Sequence, residues 1–341
     1  MPRCKCTTIV IISPFESFFH NNLQCRKRET KERRKLAGLE GYPVVRRKSV
    51  GSGYRSINFS RSPVNLAYAS YESTEASSPG ASDAAPVVIM HGLFGSKTNW
   101  NSLAKSMQQR TKRKIIAVDA RNHGDSPHSV EMTYADMASD VVSLMESHDL
   151  DKTIAVGHSM GGAAMMCLAL YYPHLVEKLV VVDMSPVRTS DSLSAMGHIF
   201  DAMLSVDITT GEPLSVSRKL VDQQLATKIH SDSLRQFLLM NLVEYEPGKC
   251  KWRVNLPVLA ENFAHQIAKF PKSETKTFNG PTLFIGGEKS DYIRKEDHPT
   301  IKTLFPRAEF RYIAGAGHWV QSDKPAEFLD IIVEFINQPN V

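Results

Sequence analysis

The sequence predicts an α/β fold: a mostly parallel sheet with helices on both faces, interrupted by a helical cap insertion. Three observations predict it. From Pro86 onward, short apolar runs alternate with amphipathic segments. The run Thr153 to Val156 feeds Gly157-His158-Ser159-Met160-Gly161, and a segment apolar nearly all round follows. Between Val187 and Thr277 the alternation stops and apolar residues recur at helical spacing, before Pro281 resumes the earlier pattern. Continuous apolar strands, as opposed to half-apolar ones, imply a parallel sheet covered on both faces.

Taken in order, Val87 to Met90 reads as a strand ending in His91-Gly92-Leu93-Phe94-Gly95, with a helix around Trp100 to Gln109. Lys114 to Asp119 is the next strand. Tyr134, Met137, Ala138, Val141, Val142 and Met145 then share one helical face. After the serine turn and its helix, Lys178 to Asp183 forms another strand. Met196, Ile199, Phe200, Met203 and Leu204, then Leu234, Phe237, Leu238 and Leu242, mark helices of the insertion, which is too long for a structureless loop. Pro281 to Gly286 and Ala308 to Ile313 complete the sheet, and Pro325 to Ile336 closes the chain as an amphipathic helix. The domain plan is a basic leader (1–62), a core (63–186 and 278–341) and a helical cap (187–277).

Composition narrows the function. The formal net charge of +5 divides unevenly: residues 1–62 carry 14 Lys or Arg against 4 Glu, while the remainder carries 27 basic and 32 acidic residues. The body is mildly acidic, which argues against a nucleic-acid partner. Three of the five cysteines lie in the leader, leaving Cys167 and Cys250, with no disulfide framework and no metal-ligand spacing. No run approaches a membrane span. From Gly41 to Ser62 no residue is acidic, which suits an organellar transit peptide. Glu16, Glu29, Glu32 and Glu40 suit a solvated basic tail equally well.

A strand, a Gly-x-Ser-x-Gly turn and a buried helix are the context in which a serine becomes a nucleophile. The turn is sharp, so its flanking positions, Gly157 and Gly161, must lack a Cβ. Acyl transfer also needs a base, an orienter for that base and oxyanion donors. His318 follows the last strand in a Gly-rich loop and is the base. His158 packs or hydrogen-bonds within the turn, His91 braces the oxyanion loop, and His123 belongs to the loop after Asp119. The backbone N–H groups of Met160 and Leu93 are the oxyanion donors. No cofactor is called for. Met196, Phe200, Met203, Phe237 and Leu238 are expected to form an apolar lid that sets acyl length, or else to pack only against one another.

The stretches HGLFGSKTNW, DARNHGDSPHS, VGHSMGG, VDMSPV and AGAGHWV together resemble the α/β-hydrolase superfamily from about Val64 to Ile336, and more narrowly the α/β-hydrolase domain-containing protein 11 family and related bacterial esterases. That resemblance implies an α/β-hydrolase fold and a serine hydrolase acting on acyl esters, with diacylglycerol lipase-type activity. It also implies a mitochondrial location and association with the 2-oxoglutarate dehydrogenase complex, and so favours the transit-peptide reading of the leader. The usual superfamily acid follows the seventh strand, where this chain has Asp291. The resemblance to the subgroup implies an acid after the sixth strand, which here is Asp183. Both carboxylates remain candidates, with the resemblance favouring Asp183. The competing function is a non-catalytic ligand binder or a chaperone-like partner of that complex.

Overall fold

Alternate residues of each central strand feed two different cores, which is why these strands read as unbroken apolar runs. In the strand Val87–Met90, Val87 and Ile89 point into one core, and Val88 and Met90 into the other. Ile115 and Ala117 repeat this against Ile116 and Val118. The computed structural model describes residues 10–11, 63–72, 84–194, 196–271 and 276–339. Apart from Val10 and Ile11, the basic leader lies outside the described residues, as does the Ser- and Ala-rich stretch 73–83.

In chain order the elements are β1 (Val10–Ile11), β2 (Tyr68–Tyr71), β3 (Val87–Met90), α1 (Asn101–Thr111), β4 (Ile115–Val118), α2 (Tyr134–Ser147), β5 (Thr153–His158), α3 (Met160–Tyr171) and β6 (Val176–Val182). The insertion follows, with α4 (Asp191–Ser194), α5 (Gly197–Leu204), α6 (Leu214–Ala226), α7 (Asp232–Leu239), β7 (Leu242–Glu246), β8 (Lys249–Trp252) and α8 (Leu256–Asn262). The chain ends with β9 (Thr282–Gly287), α9 (His298–Leu304), β10 (Ala308–Ile313), α10 (Val320–Asp323) and α11 (Pro325–Asn337).

The main sheet has the order β1-β2-β4-β3-β5-β6-β9-β10. β2 runs antiparallel to β4, and every pairing from β4 to β10 is parallel. The chain moves one way from β3 to β4 and the other way to β5. A crevice therefore opens outside the carboxyl ends of β3 and β5, where ligands sit in open α/β sheets. Helices α1 and α11 cover one face, with Trp100, Leu103, Met107, Phe328 and Ile332 in its core. The other face takes α2 and α3, and α3 is buried from Met160 through Leu170 because sheet and helices surround it. A capping box fixes the start of α2, with the Thr133 hydroxyl accepting from Asp136 N–H at 3.1 Å.

The insertion is not wholly helical, as its apolar spacing predicts. β7 and β8 form an antiparallel hairpin, with Leu242 opposite Trp252. Its sequence signal is the turn at Pro247-Gly248, where Gly248 has φ 70, flanked by alternating residues such as Cys250 (buried) between Lys249 and Lys251 (exposed).

Candidate active site

β5 drives straight into a left-handed turn: Ser159 has φ 53 and ψ −119, a region that L residues occupy only when the surroundings enforce it. The enforcement is steric. A Cβ on Gly157 would lie 2.2 Å from the carbonyl oxygen of Gly161, and one on Gly161 would lie 2.4 Å from that of Met90. Ser159 N–H donates to Val182 O at 2.9 Å, and Ser159 O accepts from Ala163 N–H at 3.0 Å. The hydroxyl is thereby fixed at the carboxyl edge of the sheet. Met160 is the first residue of α3, so its N–H has no intrahelical acceptor and belongs to the positive end of the helix.

A continuous chain of hydrogen bonds runs from that serine. His318 Nε2 lies 3.0 Å from Ser159 Oγ, and His318 Nδ1 lies 2.8 Å from Asp183 Oδ2. A carboxylate only accepts, so Nδ1 carries the proton and Nε2 is free to accept from the serine hydroxyl. Asp183 sits one residue beyond β6, itself at φ 50, with its N–H donating to Ile285 O at 2.8 Å. Its side chain has no solvent exposure. A buried carboxylate is costly unless its lone pairs are filled. Here Gly287 N–H donates to Oδ1 at 3.2 Å, and Ser290 O–H and His318 Nδ1–H both donate to Oδ2.

Asp291 is not brought to His318. Its Oδ2 accepts from Ser192 N–H at 3.0 Å, on α4 of the insertion. Burial pushes its carboxyl upward, but the hydrogen bonds from Ser192 outweigh this and hold it below the ordinary range. The loop after β9 does reach the hydrogen-bonded chain, through the neighbouring hydroxyl of Ser290. Tyr292 completes that loop by stacking on the His318 ring, with centroids 3.8 Å apart and planes 18° apart. Sequence reasoning missed Ser290 and Tyr292, since nothing in Lys-Ser-Asp-Tyr says which side chains turn inward.

Three buried histidines brace the site. His91 Nε2 accepts from Ala120 N–H at 3.0 Å while its Nδ1 bonds Gly92 O at 2.8 Å, tying the loop after β3 to the loop after β4. His123 Nε2 accepts from Phe94 N–H at 3.2 Å, and its Nδ1 bonds Arg121 O. Phe94 N–H is therefore occupied, and so is Gly95 N–H, which donates to Gly92 O at 2.9 Å. Leu93 precedes them in that loop and lines the cleft. His158 does not bond within its own turn, as its position suggests. Its Nε2 bonds the backbone oxygen of His318 at 2.9 Å, so it anchors the loop that carries His318. Burial, then the neighbouring His91 or His318, pushes His123 and His158 down to about 3, and burial lowers His91 too. All three stay neutral at physiological pH.

Below this bracing, Asp119 accepts from Lys97 Nζ, Lys97 N–H and Asp125 N–H. A Cβ on Gly124 would fall 2.1 Å from its carboxyl carbon, so the Asn-His-Gly-Asp turn requires glycine there.

Ser159 and His318 open into a cleft of about 550 Å³. Leu93, Phe94, Trp100 and Trp319 line it from the core, and Met196, Ile199, Leu234, Phe237 and Met240 from the insertion. Of the five apolar residues expected in a lid, Met196 and Phe237 reach the cleft. Phe200, Met203 and Leu238 do not line it: they are buried in the core, and Phe200 packs on Phe94 with ring centroids 5.0 Å apart. Among the described residues, no group of three or more His, Cys, Asp or Glu side chains could hold a metal ion.

Comparison with known proteins agrees with this geometry. Residues 85–325 match the family model described as the alpha/beta hydrolase fold. The sn-1-specific diacylglycerol lipase ABHD11 of Danio rerio is 46% identical over 275 residues, covering 81% of this chain and 83% of the relative. The Mus musculus protein of the same name is 48% identical over 250 residues, covering 73% and 80%. Among solved structures, a marine microorganism esterase superposes with a TM-score of 0.72 at 32% identity, covering 80% of this chain and 99% of that one. The chain therefore belongs to the α/β-hydrolase family and is ABHD11-like over most of its length.

Proposed function

We propose that the protein hydrolyses carboxylic esters of the acylglycerol type, with Ser159, His318 and Asp183 as a catalytic triad and an acyl-enzyme on Ser159. The observation that carries this reading is the unbroken path Ser159 Oγ–His318 Nε2, His318 Nδ1–Asp183 Oδ2, at 3.0 and 2.8 Å, at the base of a mainly apolar cleft. The names of the relatives support the substrate class.

Chemistry follows from the geometry. His318 Nε2 takes the serine proton as Oγ attacks the ester carbonyl, and the buried Asp183 carboxylate stabilises the imidazolium. The carbonyl oxygen gains charge and accepts from Met160 N–H and Leu93 N–H, each such donor contributing about 3 kcal/mol to the transition state. His318 then returns its proton to the departing alcohol, leaving the acyl group on Ser159. Water then attacks the acyl carbon as it gives a proton to His318, and His318 passes that proton to Ser159 Oγ as the bond to the serine breaks and the carboxylic acid leaves. A pure ligand binder has no use for a serine held at a strained φ. Association with the 2-oxoglutarate dehydrogenase complex has no counterpart in the geometry of the described residues, and the reading does not depend on it.

Turnover of a graded series of p-nitrophenyl and glyceryl esters, with acid quenching and intact-mass measurement, tests the reading. It predicts alcohol release and an acyl adduct on the Ser159 peptide. Inactivity towards every ester would overturn it.

A further inference from the structure

The turn after β3 contains a residue that only its surroundings hold in place. Gly92 O accepts from Gly95 N–H at 2.9 Å, closing a turn whose third residue, Phe94, has φ 61. A turn of that shape ordinarily takes glycine or asparagine at its third position, and a bulky side chain there is strained. Phe94 is clamped at both ends of its backbone. Its N–H donates to His123 Nε2 at 3.2 Å, and its carbonyl oxygen accepts from Asn241 Nδ2 at 2.8 Å. A carbonyl only accepts, so the side of the Asn241 amide turned to it is the NH2. His123 comes from the core, but Asn241 comes from the insertion, between α7 and β7. Asn241 is buried, and its own backbone is pinned: its N–H donates to Leu238 O at 3.0 Å and its oxygen accepts from Arg253 N–H at 2.7 Å.

The hold that Asn241 exerts passes through two peptide planes to the reaction centre. Phe94 O and Gly95 N–H lie on opposite sides of one planar trans peptide, so a donor gripping the oxygen also aims the N–H. That N–H reaches Gly92 O, which His91 Nδ1 also bonds at 2.8 Å. Gly92 O in turn shares a second trans peptide with Leu93 N–H, the donor assigned above to the oxyanion. We infer that Asn241 is a positioning residue for the oxyanion hole: by holding Phe94 O it sets the direction of Leu93 N–H. The insertion then builds the reaction centre as well as walling the acyl chain. This inference rests on the ester-hydrolase reading. Its effect belongs to the transition state, where the carbonyl oxygen gains charge.

Asn241→Leu keeps the approximate shape of the side chain and removes the donor. In the folded variant, kcat on a p-nitrophenyl ester should fall about 10- to 100-fold, with KM within about twofold of wild type. A trifluoromethyl ketone of matching acyl chain supplies the second readout. Ser159 Oγ adds to its carbonyl carbon, and the resulting oxyanion occupies the place of the transition-state oxygen. Its Ki should rise by the same factor as kcat/KM falls, which a loss of stability alone would not produce. Unchanged kcat and Ki in folded Asn241→Leu would overturn the inference. So would a rise in KM alone, which would make Asn241 part of the acyl pocket. If Asn241→Leu fails to fold, a crystal structure of the wild-type protein with the ketone bound decides. It should place the adduct oxygen within hydrogen-bond reach of Leu93 N, with Asn241 Nδ2 still on Phe94 O. An adduct oxygen out of reach of Leu93 N, or an Asn241 amide turned away from Phe94 O, would overturn this inference alone. A wild-type protein that neither turns over esters nor is inhibited by the ketone would overturn the hydrolase reading together with it.

Discussion

At the scale of single residues, two aspartates that look alike in sequence differ in what donates to them. Asp183 is fully buried and takes donors from Gly287, Ser290 and His318, whereas Asp291 is half-buried and holds the Ser192 amide. Asp183→Asn should therefore lower kcat by about 10⁴, because the amide favours the wrong tautomer of His318. Asp291→Asn should cost less than tenfold, and parallel ester kinetics on the two variants check the ranking. His158 offers a second comparison. It bonds the backbone oxygen of His318, and its ring lies tilted against the His318 ring, with centroids 4.8 Å apart. His158→Leu should lower kcat by about 10- to 100-fold with little change in KM, since a misplaced base affects the transition state most. His158→Gln keeps an N–H donor and should recover part of the loss. The strained serine turn is legible in the sequence because Gly157 and Gly161 are sterically required beside it, and the histidine loop because a Gly-rich stretch follows the last strand. Ser290, which donates to Asp183, and Tyr292, which stacks on His318, are not, because they belong to a turn whose side-chain directions depend on β9 and on the insertion.

At the scale of elements, the same apolar spacing gives different outcomes on different helices. Phe237 on α7 reaches the cleft and meets Trp319 with ring centroids 6.1 Å apart, so Phe237→Ala should shift the preferred acyl length in a chain-length series. Phe200 on α5 packs against Phe94 and Phe263 within the core, so Phe200→Ala should chiefly cost stability, about 3–5 kcal/mol by denaturant titration. Periodicity identifies a buried face, but a face buried against protein and one buried against ligand carry the same residues. The hairpin β7–β8 was hidden for a related reason, being short and half-exposed beside strongly helical neighbours. Lys178 shows a polar feature that patterning cannot reveal. From inside β6 its ammonium donates to the backbone oxygens of Phe335, Ile336 and Gln338, closing the end of α11. A cation there complements the negative end of the helix. Lys178→Met should lower stability by about 2–3 kcal/mol, because it leaves those carbonyl groups without their donor.

At the scale of the whole molecule, the buried histidines link stability to pH. His123 and His158 are held at about 3 when folded, against an ordinary value near 6.5 when unfolded. Below about pH 6.5 the unfolded chain binds protons that the folded one refuses, so stability is lost as pH falls and is full above neutrality. Each such histidine should contribute a slope of about 1.4 kcal/mol per pH unit between pH 6 and 5. His123→Gln keeps an acceptor for Phe94 N–H but does not titrate, and should flatten the slope by one proton in urea titrations at graded pH. The leader is a separate matter of charge: 14 basic against 4 acidic residues precede a mildly acidic body. We propose that it directs mitochondrial import. A chain beginning at Pro63 should retain ester turnover and lose organellar delivery, as fractionation of cells expressing both forms would show. The central claim, that one strained serine performs the chemistry, is tested most directly by labelling the full chain with a fluorophosphonate and mapping the adduct by peptide mass. The account predicts stoichiometric modification of Ser159 and none in Ser159→Ala. Modification at another residue, or full labelling of Ser159→Ala, would contradict it.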